Sequence, residues 1–152
     1  MLNRLKTNAD EARRDQVFDV HDGDYDYIPI DAPRFLTLLI HLDQLLAGDA
    51  DYDADGQQYR PVTFPEVGCG PGSNLLLARH SNLVPFSALT GFDINPAQVA
   101  LGQQAFGLDQ DLHVADVMNY DYSAFDVVFC LRPFSDDKMQ RARGAYRPVH
   151  PT

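Results

Sequence analysis

The sequence predicts an α/β fold, a mostly parallel sheet of about four strands with flanking helices, preceded by an N-terminal helical segment. Three observations predict it. Residues 62–74, VTFPEVGCGPGSN, pass from a β-branched and aromatic run through alternating glycines into an apolar helical stretch. Strand, glycine turn and helix make the unit from which doubly wound sheets are built. A second such unit spans 87–107, and FDVVFCL at 125–131 is a near-continuous apolar run, as a strand buried on both faces requires.

With 152 residues, one domain is expected, residues 1–60 forming a helical, acidic lead-in that packs on a core at 61–152. A hydrophobic content of 45% with 11% aromatics is enough for that core. The net charge is −10, and 13 of the 22 acidic residues fall in 1–60. That balance argues against a nucleic-acid backbone or an anionic membrane as the main partner. No apolar run approaches the roughly 20 residues of a spanning helix. The opening MLNRLKTNADEARR lacks the apolar stretch of a secretory signal. Cys69 and Cys130 are too far apart in sequence to suggest a disulfide framework, so a reducing, cytoplasmic setting is expected.

In chain order, Leu2, Leu5, Ala9, Ala12 and Val17 give residues 1–20 a thin apolar stripe, suited to a helix or to a segment ordered by a partner. His21, Asp22, Asp24 and Asp26 follow no metal-ligand template, so 19–27 is read as a solvated loop or lid. Residues 33–47 form an amphipathic helix with Phe35, Leu38, Leu39, Leu42, Leu45 and Leu46 on one face and Thr37, His41 and Gln44 opposite. Asp31 can cap it, Pro33 suits its first turn and Gly48 can end it. Asp51, Asp53, Asp55 and Gly56 imitate the start of a calcium loop, but its twelfth position is Val62 and Arg60 puts a cation inside it. Without the bidentate glutamate, an acidic linker is expected and no metal site is assigned.

The glycine turn carries the chemistry. Gly68, Gly70 and Gly72 suit a turn of positive φ that lets a ligand approach bare backbone, and N–H groups at the start of the following helix can hold an anion. A dinucleotide fingerprint needs glycine or alanine three positions after Gly70, where Ser73 stands; this weakens a nicotinamide-dependent oxidoreductase. The second strand, 87–92, ends at Asp93, 21 positions after Gly72. An acid there, about 20 residues on, is where such folds hold a ribose diol. Asn95 and Pro96 start the next helix and Gly107 ends it. A third strand, 112–115, is followed by Asp116.

The pattern E-x-G-x-G-x-G at Glu66, Gly68, Gly70 and Gly72 resembles motif I of the class I S-adenosylmethionine-dependent methyltransferases. GFDINPAQVALGQQ looks like their motif II, and DYSAFD through RPF like motif IV. The likeness covers about residues 60–135. It implies a Rossmann-like core, S-adenosyl-L-methionine as cofactor, and methyl transfer to a small molecule or a protein side chain. It further implies that Glu66, Gly68, Cys69, Gly70, Gly72, Asn74, Asp93, Ile94, Asp116, Val117 and Cys130 bind the cofactor. Within that set, backbone N–H groups would take the amino-acid carboxylate and Glu66 the positive end. Asp93 would take the ribose, with Asp116 and the Val117 N–H on adenine. Catalytic residues are not identifiable. Arg132 and Phe134, with Tyr25 and Tyr27 as lid residues, are substrate-side candidates; an ion pair for Arg132 and core packing for the aromatics compete with that role. Cys69 and Cys130 are expected to neighbour one another as two small buried side chains.

The sequence departs from the family in two respects. Seven strands are the family's complement, whereas four are visible here before a helix at 135–146 and the proline-bearing RPVHPT. A core truncated on its C-terminal side is therefore expected, its fourth-strand edge covered by the N-terminal helices, by the 135–146 helix or by a second copy in a homodimer. The alternative function is a catalytically silent cofactor-binding module or partner subunit. The segment Leu131-Arg132-Pro133-Phe134 also lacks Asp/Asn-Pro-Pro-Tyr, which the resemblance links to methylation of planar nitrogens.

Overall fold

A computed structural model describes residues 30–48, 59–116 and 120–131. The helix or partner-ordered segment expected at 1–20, the acidic stretches 19–27 and 49–58, and the helix expected at 135–146 lie outside these residues. Helix α1 (Ala32–Ala47) begins as its sequence dictates: the Asp31 side chain accepts from Arg34 N at 3.0 Å, and Pro33 occupies its first turn. Gly48 closes it by donating to the Gln44 and Leu45 carbonyls. Phe35, Leu39 and Leu46 are buried, while Leu45, expected beside them, is 72% exposed. It sits roughly 100° around the helix from Leu46, at the margin of the stripe.

Strand β1 (Val62–Val67) leads through the glycine turn into α2 (Ser73–Ser81), then β2 (Phe86–Asp93), α3 (Pro96–Phe106), β3 (Leu112–Val114) and β4 (Phe129–Cys130). All pairings are parallel, in the order β3-β2-β1-β4. The chain winds outward from β1 to β3 and returns to the other side of β1. The order therefore reverses between β1 and β4, where a sheet of this kind opens a crevice at its carboxyl edge.

Two apolar clusters sandwich the sheet. The larger joins Phe35 and Leu39 of α1, Leu75 and Leu77 of α2, Val99 of α3, and Phe64, Leu112 and Phe129 of the strands. Phe129 meets Phe35 edge-on and stacks on Phe64, with centroids 5.5 and 5.8 Å apart. The smaller cluster gathers Val67, Phe92, Tyr122, Phe125 and Val128. Tyr120 lies on the Phe92 ring at 4.4 Å. No helix among the described residues is long and apolar enough to cross a membrane.

The fourth strand is shorter than its sequence suggests. Of 125–131, only Phe129–Cys130 is strand, because Asp126 makes side-chain bonds where a ladder would run. Its carboxylate accepts from Thr63 N at 2.8 Å, Thr63 Oγ1 at 3.0 Å and Arg60 Nη2 at 2.6 Å. Asp126 N donates back to Thr63 Oγ1 at 2.9 Å. Asp126→Ala would leave the Thr63 N–H without its acceptor and should cost about 2–3 kcal/mol in chemical denaturation; Arg60, half exposed, adds little. The hydrogen bond from Arg60 holds the Asp126 carboxyl below its ordinary value. Its contribution is thus complete above the unfolded value of about 4 and fades as pH falls toward the lower folded value. The stability gap between wild type and Asp126→Ala should narrow over that acid range, while the protonated carboxyl still accepts from Thr63 N.

Candidate functional site

The turn between β1 and α2 stands at the crevice. Gly68, Gly70 and Gly72 have φ of 70°, 54° and 79°. At Gly72, the residue capping α2, the left-handed backbone is compounded by crowding: a Cβ would fall 2.7 Å from Leu108 Cδ1. The turn is tied to β2 along its length. Gly68 N and Cys69 N both donate to Phe92 O, at 2.8 and 3.1 Å, and Gly70 N donates to Asp93 Oδ2 at 2.8 Å. The other carboxylate oxygen of Asp93 accepts from Asn95 N at 2.8 Å, where α3 begins. Asp93 is half-buried, held from two sides at the tip of the central strand.

These bonds refine the sequence reading. The N–H groups of Gly68, Cys69, Gly70 and Gly72 are engaged within the protein, the last with Cys69 O at 3.0 Å. The helical bonding of α2 is under way by Leu76, whose N donates to Gly72 O at 3.1 Å.

Glu66 is 2% exposed, and its Oε1 accepts from Asn74 Nδ2 at 2.6 Å. It is enclosed between β1 and the first turn of α2. Burial above all, then the Glu66 and Asp93 carboxylates, push the Cys69 thiol well above its ordinary value. It is a protonated, inert thiol. Cys130, expected to be buried with it, is exposed at the end of β4, because strand pairing ends there.

Ile94 follows Asp93 with an apolar side chain 39% exposed. Ala115 N donates to Asp93 O at 3.0 Å, which brings Asp116 to the same edge of the sheet. The structure thus unites the ends of three successive strands, as their sequence spacing implies. Val117, Tyr25, Tyr27, Arg132 and Phe134 lie outside the described residues. Among the described residues, no cluster of His, Cys, Asp or Glu could hold a metal ion.

Some supporting residues were not anticipated. Gly102 of α3 faces Pro71 O and the Leu112 side chain so closely that a Cβ would overlap both. A glycine inside a helical stretch was the available signal. Gln98, in the first turn of α3, is 2% exposed; a polar residue in an amphipathic stretch gave no comparable sign.

The sequence pattern of the methyltransferase domain family matches residues 65–151, which includes the turn, Asp93 and Asp116. The chain belongs to this methyltransferase domain family. Its parallel four-stranded sheet with flanking helices is a Rossmann-like fold. Among solved structures, the putative RNA methyltransferase PH1948 from Pyrococcus horikoshii is 17% identical with a TM-score of 0.50, over 93% of this chain and 67% of that one. CalS10, an amino pentose methyltransferase from Micromonospora echinaspora solved with S-adenosylmethionine, is 20% identical with a TM-score of 0.49, over 80% and 52%. The magnesium protoporphyrin IX methyltransferase ChlM from Synechocystis PCC 6803 is 18% identical with a TM-score of 0.44, over 78% and 58%. This chain therefore spans about half the length of CalS10. No curated protein matches it in sequence.

Proposed function

We propose that this domain binds S-adenosylmethionine at the carboxyl ends of β1 to β3 and directs its methyl group to a small molecule or a protein side chain. The observation that carries this reading is the bond from Gly70 N to Asp93 Oδ2. It fixes the acid suited to a ribose diol against the turn suited to the amino-acid end. Asp93 would accept from the ribose hydroxyls, Ile94 would lie against the base, Asp116 would accept from its exocyclic amine and the Val117 N–H would donate to its ring. The amino-acid end would lie over 68–74, its carboxylate at the start of α2.

When bound, the cofactor supplies a methyl group already activated by a sulfonium. The protein's work is then to hold donor and acceptor in line at near-attack distance, which lowers the barrier without covalent help. A general base becomes necessary only for an acceptor that must lose its proton. Tyr25, Tyr27, Arg132 and Phe134 are the proposed acceptor-side residues. The net charge of −10 disfavours polyanionic acceptors, and two cysteines outside any disulfide suit a reducing, cytoplasmic setting.

Calorimetric titration of the purified chain with S-adenosylhomocysteine tests the reading. Micromolar binding at one site is expected; a folded chain that binds nothing overturns it.

A further inference from the structure

We infer that Asn74 is a positioning residue, which orients the Glu66 carboxylate toward the cationic amino-acid end of the cofactor without touching the cofactor itself. The inference rests on the cofactor site proposed above.

Asn74 is 1% exposed and Glu66 2%, so a polar pair is sealed in at the first turn of α2. Enclosing a carboxylate is costly unless polar partners are supplied. Asn74 supplies one, through Nδ2 to Oε1 at 2.6 Å. The Asn74 amide is not needed for the helix. Asparagine is a poor residue inside a helix and earns its place at caps, yet α2 has no side-chain cap bond and its N-cap is Gly72. Packing does not explain it either. Its neighbours in sequence, Leu75, Leu76 and Leu77, all lie in the core, where a leucine, with the same branched skeleton and no polar atoms, would be less costly to bury. Asn74 Oδ1 is buried without a hydrogen-bond partner among the described residues, a further cost that an apolar side chain would avoid. The carboxylate also dictates which way the amide faces, since only its NH₂ end can donate.

The feature that repays these costs is a negative charge fixed in one orientation beneath the turn. Such a charge attracts an ammonium or sulfonium across the turn through a medium less polarisable than water. Because neither Glu66 nor Asn74 reaches the surface, the effect is exerted through space and through the seating of the turn. Asn74 then acts only by way of Glu66.

A double-mutant cycle separates this role from a structural one. S-adenosylhomocysteine is titrated into wild type, Asn74→Ala, Glu66→Gln and the double variant, with the melting temperature of each recorded. 5′-Methylthioadenosine, which lacks the amino-acid end, is titrated in parallel. Each single variant should lose about tenfold in affinity for S-adenosylhomocysteine, as expected for a charged interaction, and the double variant about the same tenfold. Affinity for 5′-methylthioadenosine should stay within about twofold throughout. Should Asn74→Ala fail to fold, Asn74→Leu, which keeps the branched heavy-atom skeleton, takes its place. Losses that multiply in the double variant, an equal loss for both ligands, or no loss in the Asn74 variant would overturn the inference while leaving the site intact. A wild type that binds neither ligand would overturn the site itself.

Discussion

Replacing Asp93 by alanine is expected to weaken S-adenosylhomocysteine binding by about 100-fold or more, the cost of losing a charged acceptor and its geometry together. Two losses coincide. The proposed ribose acceptor disappears, and Gly70 N loses the oxygen that fixes the middle of the turn. Asn95 N loses its acceptor as well, loosening the entry to α3. Asp93→Asn distinguishes the two contributions, because the amide can still accept one of these bonds but would turn a donor toward the other. Its affinity should fall between the wild type and the alanine variant. Full affinity in Asp93→Ala, with the melting temperature unchanged, would remove Asp93 from the site.

The second large effect concerns a residue that touches no ligand. In an exposed helix, glycine to alanine stabilises by about 1 kcal/mol. Gly102→Ala should do the opposite, with a net cost of about 2–3 kcal/mol from overpacking. The added methyl would overlap the Pro71 carbonyl and the Leu112 side chain, and Pro71 belongs to the turn. Relief requires α3 to move outward or the turn to shift. Thermal denaturation should show a melting point lower by roughly 4–12 °C for a chain of this size, with weaker S-adenosylhomocysteine binding. A variant more stable than wild type would mean that α3 does not press on the turn.

Much of the fold was legible because it rests on local signals. Asp31, Asn95 and Pro96 begin their helices where capping chemistry places them, and Gly107 ends α3 in the left-handed region. Glu66, Asp93 and Asp116 lie where strand ends and spacing imply. What escaped depends on tertiary contacts. The length of β4 is set by Asp126 reaching Thr63, 63 positions away, a distance over which periodicity carries no information. The enclosure of Glu66 depends on Asn74 turning inward, and the crowding at Gly102 on how closely α3 settles against residue 71. The apolar stretch around Cys130 predicts burial, whereas its exposure follows from where pairing ends.

The arrangement of β1 between β2 and β4 carries a consequence for how the molecule assembles. Pairing β1 with β2 closes a short loop, since Val62 meets Phe86. Pairing β1 with β4 brings Glu66 to Phe129 across a much longer one and gains only two residues of ladder. Longer closure costs more entropy, and rates fall as contacts become less local. The glycine turn and Asp93 therefore belong to the unit that can form early, from β1, α2 and β2. The β4 side, which leads on to Arg132 and Phe134, is expected to dock later and to open first in hydrogen exchange. The bond from Gly70 N to Asp93 can thus be in place before β4 docks.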